Sequence, residues 1–116
     1  MRCSFAGFVC AALLLAGFSF SAHADVVGKD EKPLTHIIEI KQFQFFPEVL
    51  TVRSGDRVKW VNMDVVPHTA TATDDTWDTG NLEFGEHWAF TASAFGETEY
   101  ICTYHPAMEG KIIVVR

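Results

Sequence analysis

From residue 34 onward, hydrophobic and polar residues alternate in short runs at close spacing, the period of half-buried strands. Residues 36–40 form the first run. Residues 43–46 and 49–52 lie on either side of Pro47, which suits an edge or a bend rather than a central strand. Ser54-Gly55-Asp56 is a turn signal. In residues 57–62, Val58 and Trp60 fall on one face and Arg57 and Lys59 on the other. A Thr-rich strand is expected over 68–73, then loops at Asp74-Asp75 and Gly80-Asn81. Further strands are expected over 88–91, 97–102 (opened by Gly96) and 111–115. No segment keeps a helical period beyond about two turns. The pattern therefore predicts an all-β sandwich or barrel. Trp60, Trp77, Trp88, Phe90 and Phe95 are its aromatic core candidates.

The first two dozen residues follow another rule. Arg2 is the only charged residue before Asp25. An apolar stretch containing Val9, Leu13, Leu14 and Leu15 breaks at Gly17, Ser19 and Ser21 and ends in Ala22-His23-Ala24. A basic start, an apolar middle and a small-x-small end predict a cleaved signal peptide over 1–24. The alternative, an uncleaved membrane anchor, is disfavoured by the short apolar core and the lack of a basic stop-transfer cluster. Val9 ahead of Cys10 does not suit a lipoprotein site, and one Arg does not make a twin-arginine signal. Residues 25–33 read as a flexible polar arm, leaving a single domain over 34–116.

Composition changes meaning once the signal is set aside. The full chain of 116 residues is too short for a multidomain enzyme. Its net charge of −6 argues against nucleic-acid binding, which needs a basic face. Losing Arg2 while keeping all fifteen acidic residues moves the charge to −7. Cys3 and Cys10 also leave, so Cys102 is the one cysteine expected in the exported chain. A lone thiol in an oxidising compartment needs burial or a metal.

Tyr100-Ile101-Cys102-Thr103-Tyr104-His105-Pro106-Ala107-Met108-Glu109-Gly110 places Cys, His and Met at intervals of three. A tight loop at a strand end can aim all three at one centre. Thiolate, imidazole and thioether form a soft set that suits copper, and a trigonal His₂Cys plane needs a second His. Pro67-His68 supplies it from an earlier strand. Zinc could occupy a Cys-His₂ set, but a thioether suits copper better. His36 and His87 lie outside this pattern and read as structural or solvated.

At these residues the chain resembles the cupredoxins, the small blue-copper proteins. The Cys-x2-His-x2-Met loop is most similar to that of amicyanin, within the plastocyanin and amicyanin group. The likeness extends to Phe46-Pro47, Ser54-Gly55-Asp56 before Val58-Lys59-Trp60, the Pro67-His68 pair, the strand Gly96 to Cys102 and the ending from Gly110. The resemblance implies a Greek-key β-sandwich, one type 1 copper ion held by His68, Cys102, His105 and Met108, and one-electron transfer between Cu(I) and Cu(II). Many relatives have Asn directly after the first His; here it is Thr69, whose hydroxyl offers fewer hydrogen bonds than an amide, which leaves the bracing of the ligand loop open. Tyr104 stands where amicyanin has Pro, which changes the surface around the metal. Ile101 precedes the Cys where plastocyanin has an aromatic residue, so that remote electron-entry route is not expected.

The expected function is a small periplasmic electron shuttle, a monomer that meets a cytochrome c or a periplasmic dehydrogenase transiently, with no enzyme activity of its own. Its electron port would be the edge of His105, ringed by Pro67, Pro106, Ala107 and Met63. The main alternative is a copper-trafficking protein without an electron-carrier role. That function is usually marked by exposed Met- or His-rich tracts, which are not seen in this sequence.

Overall fold

The computed structural model describes Gly17 and residues 31–116; the expected signal peptide and most of the expected arm lie outside the described residues. Eight strands follow one another: β1 Thr35–Lys41, β2 Gln44–Phe46, β3 Val49–Arg53, β4 Arg57–Asn62, β5 Thr71–Ala72, β6 His87–Thr91, β7 Gly96–Ile101 and β8 Glu109–Val115. No helix occurs among the described residues. One sheet has the order β2-β1-β4-β6, the other β3-β8-β7-β5. Each sheet is mixed: β1 runs parallel to β4 and β3 parallel to β8, while the other neighbours are antiparallel. The chain passes repeatedly from one sheet to the other, as the crossings of a Greek-key sandwich require.

Alternation explains what is inside. Ile38 and Ile40 of β1 and Val58 and Trp60 of β4 point inward and meet Val52, Tyr100, Ile112 and Val114 of the other sheet. Trp60 is wholly buried, with Trp77, Trp88 and Phe90 packed around it at centroid distances of 4.8, 6.0 and 5.7 Å. Tyr100 lies directly across the β7–β8 ladder from Gly110. A Cβ on Gly110 would come within 2.2 Å of the Tyr100 ring, so only glycine leaves room for it.

Three expectations need correction. Phe95 is exposed in the β6–β7 connection rather than in the core, with the Arg116 guanidinium 4.9 Å above its ring. The strand expected over 68–73 shrinks to Thr71–Ala72, with His68 in an isolated bridge to Leu82. Hydroxyl bonds from Thr69 and Thr71 accompany that loss, and such side-chain bonds compete with a regular ladder. Phe43 is not part of a strand. It forms with Gln42 the two-residue turn between β1 and β2, with φ of 57° and 52°. That left-handed geometry matches strand twist but ordinarily calls for Asn or Gly.

At the sandwich end away from the β7–β8 connection, Asp56 fastens β1 to the β3–β4 turn. Its carboxylate accepts the N–H groups of Leu34 and Arg53 at 2.9 and 3.1 Å and lies 2.9 Å from His36 Nε2. His36 is thus structural. The His36 hydrogen bond, and then that of Leu34, hold the Asp56 carboxyl below the usual carboxylate range against the opposing effect of desolvation.

Candidate metal centre

His68 is fixed before its ring is considered. Its N–H donates to the Leu82 carbonyl at 3.1 Å and its carbonyl accepts the Leu82 N–H at 2.8 Å. Asn62, buried at the end of β4, ties down the segment leading to it. The Asn62 amide donates to the Val66 and Leu82 carbonyls at 2.9 and 2.7 Å, and its oxygen accepts the Asp64 N–H at 2.9 Å. One buried amide thereby satisfies three partners in two loops.

The wholly buried His68 ring has its Nε2 2.7 Å from Asp64 Oδ2. An ionised carboxylate only accepts, so Nε2 carries the hydrogen, and in the neutral ring that metal binding requires Nδ1 keeps its lone pair. Nδ1 lies 3.8 Å from Cys102 Sγ. Asp64 also accepts the N–H groups of Gln42 and Phe43 at 2.8 and 3.1 Å. Burial would raise its pKa, but the bonds from Phe43, Gln42 and His68 together bring it below the usual range. The same carboxylate therefore supports a strained turn and orients a ring. Phe43 then rests edge-on against His68 and His105, with centroids 5.3 and 5.0 Å away.

The other three residues sit in the loop joining β7 to β8. The His105 N–H donates to the Cys102 carbonyl at 3.2 Å, the Met108 N–H to the His105 carbonyl at 2.8 Å, and the Cys102 N–H to the Met108 carbonyl at 3.1 Å. These bonds coil the seven residues into a closed loop. Cys102 and Met108 are buried and His105 is half-buried, its ring centroid 5.4 Å from that of His68. All four residues singled out from the sequence thus belong to one end of the sandwich. His68 and Cys102 are in contact, and the His105 ring meets that of His68 edge-on. Among the described residues, no group of three or more His, Cys, Asp or Glu side chains converges closely enough to hold a metal ion by itself.

The thiol has a second neighbour: the Thr69 N–H donates to Cys102 Sγ at 3.4 Å. The Thr69 hydroxyl accepts the Thr103 N–H at 2.9 Å and contacts the hydroxyls of Thr103 and Thr71 at 3.0 and 3.1 Å. Threonine braces the loop after all, because its hydroxyl uses its full capacity of one donor and two acceptors. The bracing that the sequence left open is thus supplied by a hydroxyl. Of the residues expected to ring His105, Pro67 is half-buried while Pro106, Ala107 and Met63 are exposed. Phe43 and Asp64 were not singled out from the sequence. Asp64 offered one local signal, a carboxylate four residues ahead of His68; Phe43 offered none.

The cupredoxin-like domain family model matches residues 8–114. The chain belongs to this family. Amicyanin from Paracoccus versutus is 29% identical over 83 residues, covering 67% of this chain and 63% of that protein. The chain thus spans just under two thirds of that relative. The crystal structure of amicyanin from P. versutus superposes with a TM-score of 0.64 at 29% identity, covering 70% of this chain and 81% of that one. Chloroplastic plastocyanin from Chlamydomonas reinhardtii is 32% identical, covering 96% of this cupredoxin and 79% of the plastocyanin. A copper-containing nitrite reductase from Thermus scotoductus superposes with a TM-score of 0.68 at 31% identity, covering 74% of this chain but only 23% of the reductase. A cupredoxin of this size therefore corresponds to one portion of that larger protein.

Proposed function

We propose that this cupredoxin is a small exported type 1 copper protein that carries single electrons between redox proteins, with His68, Cys102, His105 and Met108 as ligands. The observation that carries the reading is the buried pair of Cys102 Sγ and His68 Nδ1, 3.8 Å apart, with the His68 lone pair directed by Asp64. The donor chemistry fits: one thiol, two imidazoles and one buried thioether are a soft set for copper. Copper, when bound, supplies a reversible one-electron couple.

The chain's own residues make that couple usable. Asn62, Leu82 and Asp64 hold His68, and the closed Cys102–Met108 loop holds the other three, so little has to reorganise when charge changes. The Thr69 N–H stabilises charge on the thiolate. Burial of Cys102, Met108 and His68 keeps water away, while half-buried His105 offers an edge to a partner. Met63 and Val65, in the connection that carries His68, and Tyr104, in the one that carries His105, are exposed, which suits the small interfaces of redox encounters.

The partners are redox proteins such as a cytochrome c or a periplasmic dehydrogenase, met transiently by a monomer in the periplasm after removal of residues 1–24. Residues 34–116 act as the working domain. With one expected ligand set and one cysteine after cleavage, the protein is a carrier and not an enzyme. Optical and EPR spectra of the copper-loaded protein beside Cys102→Ser test the assignment. An intense thiolate-to-copper band, lost in the variant, is expected. Absence of the band, or its survival without the thiol, overturns it.

A further inference from the structure

The hydroxyls beside the metal loop have a direction that donor counting fixes. Asp78 Oδ1 accepts the Thr71 hydroxyl at 2.9 Å. A carboxylate oxygen only accepts, so the single Thr71 hydrogen is committed to Asp78. At the 3.1 Å contact between Thr69 and Thr71, Thr69 must therefore be the donor. Its hydrogen is then used, and at the 3.0 Å contact between Thr69 and Thr103, Thr103 must donate. Every hydrogen points the same way, from Thr103 through Thr69 and Thr71 to Asp78.

We propose that Asp78 is a positioning residue for the metal loop, acting through this one-way chain of three threonine hydroxyls. Asp78 is exposed and lies in the connection between β5 and β6, yet the chain of bonds ends at both flanks of the thiol. Thr103 follows Cys102, and its N–H donates to Thr69 Oγ1 at 2.9 Å. Thr69 follows His68, and its own N–H donates to Cys102 Sγ at 3.4 Å. A hydroxyl that donates to an anion becomes a better acceptor, and the gain passes along the chain. Asp78 thereby strengthens the grip of Thr69 on Thr103 and keeps the Thr69 N–H aimed at the sulfur. Thr71 and Asp78 are also opposed in an isolated bridge, which fixes the outer end of the chain.

The consequence for the metal rests on the copper-carrier reading; the hydrogen-bond chain itself is testable without metal. Amide hydrogen exchange of the copper-free protein reads Thr103 and Thr69 directly. Thr71→Val is expected to raise exchange at the Thr103 amide about tenfold, the loss of one well-placed hydrogen bond. Asp78→Ala should do the same. Because Asp78 Oδ1 also accepts the Gly80 N–H at 2.8 Å, Thr71→Val separates the chain from that second contact. Thr71→Ser and Asp78→Asn keep a hydroxyl and an acceptor respectively, and should restore most of the protection. With copper added, the EPR hyperfine splitting and the reduction potential should shift in Thr71→Val and Asp78→Ala and return toward wild type in the two conservative variants. Unchanged Thr103 exchange in both disruptive variants overturns the proposal, as does equal loss in the conservative ones. Failure of the copper-loaded wild type to show a thiolate band sinks the carrier reading instead and leaves the exchange result standing.

Discussion

Asp64 Oδ2 and His68 Nε2 lie 2.7 Å apart, and the same carboxylate closes the turn that carries Phe43. One side chain thus sets a ring's tautomer and holds two residues in left-handed geometry. Asp64→Ala is expected to lower the stability of the copper-free protein by about 2 kcal/mol, because the turn N–H groups lose their acceptor. Asp64→Asn should fold better yet bind copper about tenfold to a hundredfold more weakly, as outer partners of metal-ligating imidazoles commonly do. Urea unfolding and chelator competition measure the two effects separately.

Asp56 gives the fold an acid limit. Its folded pKa lies below the ordinary value of 3.8, so it binds a proton less readily when folded than when unfolded. Its contribution to stability is complete above that ordinary value and is lost as pH falls through the lower folded one. Urea midpoints measured from pH 6 down to pH 2, over a span on the order of four units, should drop at the acid end. Asp56→Asn should start lower and show a shallower acid decline; an unchanged slope would count against the clamp.

Gly110 and Tyr100 make one cross-strand unit. Gly110→Ala places a methyl group in the space of the Tyr100 ring and should cost about 3 kcal/mol or more. Pairing it with Tyr100→Ala should cost less than the sum of the two single changes, because the clash is gone. A thermal-unfolding double-mutant cycle reads the coupling; strict additivity would show that the ring escapes elsewhere.

Metal should act as a folding ligand. Free copper at about a thousand times its dissociation constant is expected to add about 4 kcal/mol to stability. Cys102→Ser and His68→Ala should remove most of that increment while changing the metal-free protein differently, since His68 is buried and hydrogen-bonded. Denaturation with and without copper provides the comparison.

The strands were legible because alternation is local. β4 begins and ends where the pattern placed it, and the face shared by Val58 and Trp60 points inward as expected. The loop proposed to hold the metal stood out for a similar reason, since Cys102, His105 and Met108 lie within seven residues. What escaped depends on distant partners. Gln42-Phe43 lacks the Asn or Gly that announces such a turn, and its support comes from Asp64, twenty-two and twenty-one residues away in sequence. Phe95 reads as core by composition but falls in a connection, where alternation gives no inward direction. The bracing by Thr69 was invisible because its partners, Thr71, Thr103 and ultimately Asp78, are ordinary polar residues until the sheets bring them together.

β8 comes last along the described chain, yet it is an interior strand of its sheet, held between β3 and β7. A polypeptide emerging from the ribosome N-terminus first has no completed second sheet until residues 109–115 are free. Until then the closed loop of Cys102 to Met108 cannot form either. On the copper-carrier reading, metal capture therefore waits for β8, and export in an unfolded state would carry the polypeptide across a membrane before any pocket exists to trap copper on the wrong side.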